Sequence, residues 1–440
     1  MRDDKVCVIG IWHLGAVTSA CLADLGYSVV GVDRDPQKVR ALNQGLPPLF
    51  EPGLEELIAR NIASQRLRYT TDLSEALRGS RRVLITHDTP VDEEDEIDLT
   101  EIEAGATRAA PHLEGGALVI VSSQVPLGTC ERLEAIIRRG NPSLKFAIAY
   151  VPENLKLGQG IQHFLNPDMI VIGADDPASQ DQVDELFAPI GGPRVKMGLR
   201  SAEMTKHAIN AFVATSISFA NEVANLCDEL GTDAQSVMTA LRLDRRVGLG
   251  APLRPGLGFA GGTLARELKV LRHLGESSAC STPLVEGVLA ANERQNSGVI
   301  RRLKKLYPSL EKLTIGVLGL TYKAGTSTLR RSHALDMVNQ FIHDGALVKA
   351  YDPKADAQEV RPNDHLQFCP DPYAVATGSD ALVLATEWPQ FKELDFPSIR
   401  SAMRRPVILD CNNMLDAGQI VQQGFTYLGI GRGHTVGGPG

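Results

Sequence analysis

Residues 5–15 read Lys5-Val6-Cys7-Val8-Ile9-Gly10-Ile11-Trp12-His13-Leu14-Gly15, an apolar run that ends in a glycine turn. A stretch rich in alanine and leucine follows, and a second apolar run, residues 27–32, ends at Asp33. Strand, glycine turn, helix, strand and acid is the order of the dinucleotide-binding βαβ unit, in which the acid holds a ribose hydroxyl. We therefore expect a cofactor-binding unit here, with Asp33 favouring NAD, although Arg34 beside it leaves NADP open.

The glycine turn departs from the G-x-G-x-x-G fingerprint at one position. Gly10 and Gly15 occupy the outer glycine positions, but Trp12 occupies the middle one, where the backbone normally approaches the pyrophosphate. An indole that points into the cleft would block or displace the cofactor, whereas one that points away leaves the helix amides free to bind phosphate. A structural βαβ unit without cofactor therefore stays open, and we interpret His13 as a phosphate-side or helix-start residue.

The rest of the chain predicts three parts. Short apolar strands separated by helical stretches continue to about residue 200, and the pattern then becomes helical, with long helices over residues 202–230 and 283–306. Alternating strands and helices resume near residue 313. The sequence thus predicts an α/β fold of two Rossmann-like doubly wound domains joined by a long-helix central domain, with bounds 1–200, 201–310 and 311–440.

Composition excludes several classes of function. The net charge of −8 argues against broad nucleic-acid binding and against an anionic membrane surface. No apolar run approaches the roughly 20 residues that span a bilayer, and the first residues pass into a strand without room for a signal peptide. The seven cysteines are scattered without a Cys-x-x-Cys pair, so we expect neither disulfides nor a metal site. A reduced cytoplasmic protein fits these features.

A second glycine-rich stretch begins at residue 255 and reads Pro255-Gly256-Leu257-Gly258-Phe259-Ala260-Gly261-Gly262-Thr263-Leu264-Ala265-Arg266-Glu267-Leu268. Its four glycines let the backbone come close to a ligand and adopt positive φ angles at little cost. We call residues 256–262 the glycine loop. By itself this pattern also describes an ordinary surface loop.

The order of many landmarks resembles the UDP-glucose/GDP-mannose (nucleotide-sugar 6-) dehydrogenase family over essentially the whole chain. The landmarks are Asn43-Gln44-Gly45, Glu51-Pro52-Gly53-Leu54, Thr89-Pro90, Val125-Pro126-Leu127-Gly128-Thr129, Pro152-Glu153-Asn154-Leu155, Lys206 with Asn210, Asn221-Glu222, Asp244-Arg245-Arg246-Val247-Gly248, the glycine loop, Gly319-Leu320-Thr321-Tyr322-Lys323 with Thr326, Arg330 and Ser332, Tyr351-Asp352-Pro353, and Thr386-Glu387-Trp388.

That family oxidises the sugar C6 hydroxyl to a carboxylate and reduces two NAD in turn. A cysteine thiolate in the loop captures the aldehyde as a thiohemiacetal, and water hydrolyses the thioester that the second hydride transfer leaves. The resemblance implies NAD as cofactor, a UDP- or GDP-linked sugar as substrate, and a role in polysaccharide or sugar-nucleotide biosynthesis. It also implies a homodimer formed through the central helices.

The resemblance and the βαβ pattern together assign the site residues. Catalytic roles fall to Glu153, Lys206, Asn210, Thr263 and Glu267, with Lys206 and Asn210 stabilising the oxyanion and Glu267 helping to activate water. Cofactor contacts are expected from Gly10, Trp12, His13, Leu14, Gly15, Asp33, Thr89, Gln124 and Arg330. Substrate contacts are expected from Glu153, Asn154, Leu155, Lys206, Asn210, Arg246, Gly258, Phe259, Gly261 and Lys323.

Two departures from the family pattern touch the active site. Thr263 stands at the nucleophile position, where the usual loop reads Gly-Phe-Gly-Gly-Ser-Cys-Phe-Pro-Lys-Asp, and Gln124 stands where a threonine is usual. A threonine hydroxyl lacks the low pKa of a thiol, so we expect no covalent intermediate and an impaired second oxidation. The first hydride transfer needs only NAD, a base and an oxyanion donor, and Lys206 and Asn210 can supply the last two.

We therefore favour an NAD-dependent oxidoreductase that acts on a CH–OH group of a nucleotide sugar and that stops after two electrons. Two alternatives stay open. One is a redox-neutral nucleotide-sugar epimerase with retained NAD, and the other is a catalytically inactive sugar-nucleotide binding protein, which Trp12 and Thr263 suggest.

Overall fold

The computed structural model describes residues 4–90, 97–153, 155–360 and 363–433, and these form two units, Met1–Ala208 and Ile209–Gly440. The first unit contains an eight-stranded sheet in the order β3-β2-β1-β4-β5-β6-β7-β8. Its strands are β1 Lys5–Ile9, β2 Ser28–Val32, β3 Leu67–Thr70, β4 Arg82–Ile85, β5 Ala117–Val121, β6 Phe146–Tyr150, β7 Ile170–Gly173 and β8 Arg194–Met197. All neighbours pair in parallel except β6 and β7, which are antiparallel.

Helices cover both faces of this sheet. They are α1 His13–Asp24, α2 Pro36–Asn43, α3 Leu54–Ala63, α4 Leu73–Leu77, α5 Thr100–Ala109, α6 Thr129–Gly140, α7 Gly160–Leu165 and α8 Pro177–Phe187. Strand β1 shows why its sequence is apolar throughout: Val6 and Val8 pack into one core cluster, while Cys7 and Ile9 pack into the cluster on the opposite face. Burial on both faces is what makes parallel strands read as continuous apolar runs.

A helical segment follows and contains the boundary between the units. Its helices are α9 Leu199–Leu230, α10 Ala234–Leu243, α11 Thr263–Ser277 and α12 Pro283–Leu306. Helix α9 has 32 residues and starts three residues earlier than the sequence pattern indicates. Among the described helices, none combines the length and the apolar character that crossing a membrane requires.

The second unit also contains a parallel sheet, in the order β11-β10-β9-β12-β13-β14. Its strands are β9 Thr314–Leu318, β10 Leu347–Tyr351, β11 Leu366–Phe368, β12 Ala381–Leu384, β13 Val407–Asp410 and β14 Thr426–Gly429, and its helices are α13 His333–His343, α14 Pro372–Ala376, α15 Phe396–Ala402 and α16 Ala417–Gln422. In β12, Ala381 and Val383 face one core cluster and Leu382 and Leu384 face the other. The predicted fold class, two Rossmann-like sheets with a long central helix, is confirmed.

Candidate cofactor and substrate sites

The turn between β1 and α1 requires glycine at two positions. Gly10 has a φ of +89°, and a Cβ on it would lie 2.9 Å from the backbone nitrogen of His87. A Cβ on Gly15 would lie 1.9 Å from the carbonyl oxygen of Gly10, so the helix packs directly on the turn. Thr86, which follows β4, donates its hydroxyl to the same carbonyl at 2.7 Å. The first and third fingerprint glycines therefore have the steric roles that the βαβ pattern gives them.

A cleft of about 530 Å³ opens at the carboxyl ends of β1, β2 and β4. Its walls include Gly10, Trp12, Asp33, Lys38 and Asp88. Strand β1 is central in the sheet, with β2 on one side and β4 on the other, so the chain reverses direction across the sheet at this point. Such a switch point is where open parallel sheets bind their ligands.

Asp33 follows β2 and is held as a carboxylate. Its Oδ2 accepts a hydrogen bond from Lys38 Nζ at 2.7 Å, and its Oδ1 accepts one from the Asp35 amide at 3.0 Å. Burial opposes the ionisation of Asp33, but these two hydrogen bonds outweigh it and lower its pKa. An ionised Asp33 can accept from ribose hydroxyls and would repel a 2′-phosphate. Arg34 pairs instead with Glu101, with 2.7 Å between Nη2 and Oε1.

The indole of Trp12 faces the cleft. Trp12 lies on the cleft wall with 42% of its surface exposed, and Lys38 Nζ lies 5.7 Å from the ring centre. The indole therefore lies at the cleft and does not point away from it. The cleft volume and the ionised Asp33 fit a dinucleotide at its adenosine end, and the indole constrains the part beside the glycine turn.

His13 and Leu14 are not among the residues that line this cleft. His13 Nε2 lies 2.8 Å from Oε2 of Glu51, a buried carboxylate that also accepts hydrogen bonds from the amides of Gly158 and Gly160. Leu14 is buried and lines a separate small cavity with Glu153 and Leu155. His13, the first residue of α1, thus ties that helix through Glu51 to the segment after β6, and its contact with cofactor phosphates stays a prediction.

Sequence reasoning missed Asp88 and His87, which follow β4 and line the cleft. Asp88 is exposed as a whole residue, but its carboxyl lies on the cleft wall, and desolvation by burial raises its pKa to about 6. His13 and Lys38 oppose the shift, whereas Glu153 adds to it. Burial lowers the pKa of His87 to about 4. The sequence shows that polar residues follow β4, but it does not show that folding desolvates them.

Thr89 and Gln124 connect two strand ends. The Thr89 hydroxyl donates to the Gln124 carbonyl at 2.6 Å, which joins the segment after β4 to the segment after β5. The buried Glu203 of α9 accepts from the amides of Gly128 and Cys130 at 2.6 Å and 2.8 Å and so fixes the start of α6.

Lys206 is buried on α9 and contacts Glu153. Its Nζ donates to the Glu153 carbonyl and lies 3.4 Å from Glu153 Oε1. Glu153 Oε2 accepts from the Leu155 amide at 3.0 Å, and Asn154 lies outside the described residues. Asn210 follows Lys206 by about one helical turn, and in the described part of the chain its buried Nδ2 has no hydrogen-bond partner. An unpaired buried donor costs about 1–3 kcal/mol, so a ligand oxygen there is favoured.

The glycine loop lines a cavity of about 360 Å³ within the second unit. Leu257, Gly258 and Ala260 form one wall, and residues after β9 and β12, among them Lys323 and Thr386, form the others. Gly258 has no space for a side chain, because a Cβ would lie 2.5 Å from Oδ1 of Asn292. The cavity again lies at a switch point, since β9 is flanked by β10 and β12. The glycine-rich stretch is therefore a cavity wall and not an ordinary surface loop.

The acid after β10 cannot take the role of Asp33. Asp352 Oδ2 accepts from the Leu320 and Thr321 amides at 2.7 Å and 3.0 Å and from Trp388 Nε1 at 3.1 Å. Burial raises the pKa of Asp352, but the backbone hydrogen bonds lower it below its usual value. Because the protein itself occupies this carboxylate, it shapes the loop after β9 and leaves little capacity for a ribose.

The remaining predicted site residues differ in their burial and in their contacts. Thr263 is the exposed first residue of α11, and Glu267 is fully buried with Oε1 3.3 Å from Arg266 Nε. Phe259 is buried against Ala211, Leu268 and Val288. Gly261 has a φ of +76° and packs on Tyr322, and Arg330 is exposed. Arg246 is exposed and bonds its own neighbour Asp244, with 2.7 Å between Nη2 and Oδ2, so it does not line this cavity.

Known proteins share this architecture over the whole chain. Residues 4–191, 200–294 and 316–417 match the NAD binding, central and UDP binding domains of the UDP-glucose/GDP-mannose dehydrogenase family. The UDP-glucose 6-dehydrogenase of Rhizobium meliloti is 36% identical over 435 residues, 97% of this chain and 99% of that protein. UDP-glucose 6-dehydrogenase TuaD of Bacillus subtilis is 34% identical over 431 residues, 97% and 93% of the two chains.

A solved structure gives the same result. The UDP-glucose dehydrogenase of Pyrobaculum islandicum superposes with a TM-score of 0.86 at 30% identity and covers 98% of both chains. Identity of this extent, with a cleft and a cavity at the switch points of the two sheets, shows that the chain belongs to the UDP-glucose/GDP-mannose dehydrogenase family and is an NAD-dependent nucleotide-sugar dehydrogenase.

Proposed function

We propose that this enzyme oxidises a CH–OH group of a UDP- or GDP-linked sugar and stops after one hydride transfer. The observation that carries the proposal is Thr263, which begins α11 directly after the glycine loop. In the family resemblance this is the nucleophile position, and a threonine hydroxyl is a poor nucleophile without a base beside it. None of the seven cysteines lies in residues 255–268, so this stretch contains no thiol that could form a thioester.

We assign the steps before that point to residues of the first unit and of α9. NAD, when bound, accepts the hydride. Asp33 would hold the adenosine ribose through its carboxylate. Lys206, once it has given up its own proton, would accept the hydroxyl proton as a neutral amine. Asn210 would donate its unpaired Nδ2–H to the developing oxyanion. Glu153 would position Lys206 through the contacts described above.

We propose one function for each of the three predicted domains. We propose that residues 1–200 bind NAD, that residues 201–310 carry catalytic groups and the subunit contact, and that residues 311–440 bind the nucleotide sugar. Thr89, Gln124 and Arg330 would complete the cofactor site, and Leu155, Phe259, Gly261 and Lys323 would complete the substrate site. Arg246 would be a further substrate contact from outside the cavity that the glycine loop lines. The scattered cysteines support a cytoplasmic location.

A homodimer is supported by an apolar stripe on α9. Phe212, Phe219, Leu226 and Leu230 are spaced by seven, seven and four residues, and each is between 49% and 74% exposed. Large apolar side chains at this spacing are typical of a helix that packs against a second helix. We propose that a second copy of the chain covers the stripe.

The number of NADH molecules formed per sugar tests the extent of the oxidation. With UDP-glucose or GDP-mannose and excess NAD, we expect one NADH per sugar consumed, because no thioester can form at Thr263. The variant Thr263→Cys restores a thiol at that position and should yield a second NADH. Two NADH per sugar from the unchanged chain would contradict the two-electron proposal.

The NADH count, together with measurements of NAD and UDP-sugar binding, separates the epimerase and the inactive binding protein from the dehydrogenase. Product formed without net NADH, together with NAD that co-purifies with the protein, would identify a redox-neutral epimerase. Binding of UDP-sugars without any binding of NAD would identify an inactive binding protein, which is the second candidate because the Trp12 indole narrows the cofactor cleft.

Replacing Trp12 with glycine tests the effect of that indole. We expect Trp12→Gly to tighten NAD binding about tenfold, or about 1.4 kcal/mol, because the backbone can then approach the pyrophosphate. Titration calorimetry on the full chain measures the change. The control Trp12→Phe keeps an aromatic ring in the cleft and should bind NAD about as the unchanged chain does. Weaker binding by Trp12→Gly would show that the indole stacks on the cofactor.

The pH dependence of NAD binding tests the position of Asp88. The pKa of Asp88 is about 6, so its carboxyl is mostly neutral below that pH and charged above it. A charged carboxylate repels the cofactor diphosphate, so NAD affinity should rise about tenfold as the pH falls from about 8 to about 5. His87, with a pKa of about 4, stays neutral over this range. Asp88→Asn should bind tightly at both pH values, and an unchanged pH dependence in this variant would exclude Asp88 as the cause.

The oligomeric state tests the apolar stripe. We expect the unchanged chain to run as a dimer in light scattering and the double variant Phe219→Asp/Leu226→Asp to run as a folded monomer. Leu347 is 46% exposed at the start of β10, and the control Leu347→Asp should remain dimeric. A monomeric unchanged chain at high concentration would contradict the proposal.

A further inference from the structure

Side-chain amides hold the backbone of the glycine loop. Asn221 Oδ1 accepts from the Gly256 amide at 2.9 Å, and Gln295 Nε2 donates to the Gly256 carbonyl at 2.7 Å. Asn292 binds both backbone polar groups of Phe259, since its Oδ1 accepts from the Phe259 amide at 2.7 Å and its Nδ2 donates to the Phe259 carbonyl at 3.0 Å. These amides come from α9 and α12, so the helical segment supplies part of the framework of the loop.

His333 adds a second donor to the Phe259 carbonyl from a different element. It is the first residue of α13, and its Nε2 lies 2.8 Å from that oxygen. A carbonyl can only accept, so Nε2 must carry the proton. On the other side of the ring, Nδ1 lies 2.6 Å from the side-chain amide of Asn296 and 3.4 Å from the Asp336 carboxylate, and these two groups hold the imidazole in place. The acceptor at Nε2 alone therefore establishes that His333 donates to Phe259.

The position of the Phe259 peptide decides the shape of the substrate cavity. Gly258 and Ala260, its neighbours in the chain, both line that cavity, and so does His333. The Phe259 ring is fixed separately in a small apolar cluster with Ala211 and Leu268. Ring packing does not hold the Phe259 carbonyl, whereas the two donors, from Asn292 and His333, fix the direction in which it points.

We propose that His333 is a positioning residue that locks the glycine loop in its ligand-binding shape by donating Nε2–H to the Phe259 carbonyl. The proposal rests on the proposed function in one respect, namely that the cavity binds the nucleotide part of the substrate. A loop that is already ordered loses less conformational entropy when the ligand arrives, so His333 acts on affinity and not on the hydride step. Its removal should therefore raise KM and leave kcat nearly unchanged.

The test compares three variants of the full chain by amide hydrogen exchange and by calorimetric titration with UDP. His333→Leu removes the donor and should speed exchange of the amides in residues 256–262 and weaken UDP binding about tenfold. His333→Gln places an amide donor near the Nε2 position and should restore both quantities to within about twofold. His343 is an exposed histidine at the end of the same helix, and His343→Leu should change neither quantity.

Each outcome decides for or against the proposal. Unchanged loop exchange in His333→Leu would overturn it, and so would faster exchange throughout α13 that His333→Gln does not rescue. If His333→Leu fails to fold, Asn296→Leu replaces it. Loss of the contact with Nδ1 should loosen the imidazole and produce a smaller change in the same direction, and no change would overturn the proposal. A chain that binds no UDP contradicts the proposed function, while its loop exchange still tests His333.

Discussion

The hydrogen bonds between side-chain amides and the backbone of the glycine loop are the constraint on which the shape of the adjoining cavity depends. Gly258 must lack a side chain because Asn292 occupies the space, and Asn292 occupies it because it binds both polar groups of Phe259. The absence of a side chain at Gly258 and the position of the Asn292 amide therefore depend on each other. The loop leads into α11 at Thr263, and the chemistry available there depends on how rigidly these hydrogen bonds hold the chain.

The two sheets have similar topology, but the aspartates at equivalent positions in them have different hydrogen-bond partners. In each half an aspartate follows the strand next to the central switch point. Asp33 keeps an accessible place on the cleft wall and is balanced by Lys38, so it can meet a ribose. The Asp352 carboxylate instead accepts hydrogen bonds from the amides after β9 and from Trp388. The difference follows from hydrogen-bond satisfaction, because a carboxylate surrounded by internal donors has little capacity for a ligand.

The sequence predicts most of this fold, because burial on both faces of parallel strands leaves a strong pattern. The runs at β1, β5 and β12 and the glycine turn at Gly10 lie where the pattern indicates. The site is less predictable, since its decisive features are contacts between distant residues. Nothing local in the sequence indicates that the Trp12 indole faces the cleft or that His333 reaches the loop 74 residues earlier in the chain. Likewise, the raised pKa of Asp88 depends on walls that only folding assembles.

The central claim is that the enzyme completes one oxidation and releases its product without a covalent intermediate. The most direct measurement is the mass of the sugar nucleotide released when the chain is incubated with excess NAD and UDP-glucose or GDP-mannose. The account predicts a product that has lost two hydrogens from the substrate, the mass of an aldehyde or ketone (or of its hydrate). A product with the mass of the corresponding carboxylic acid would contradict it.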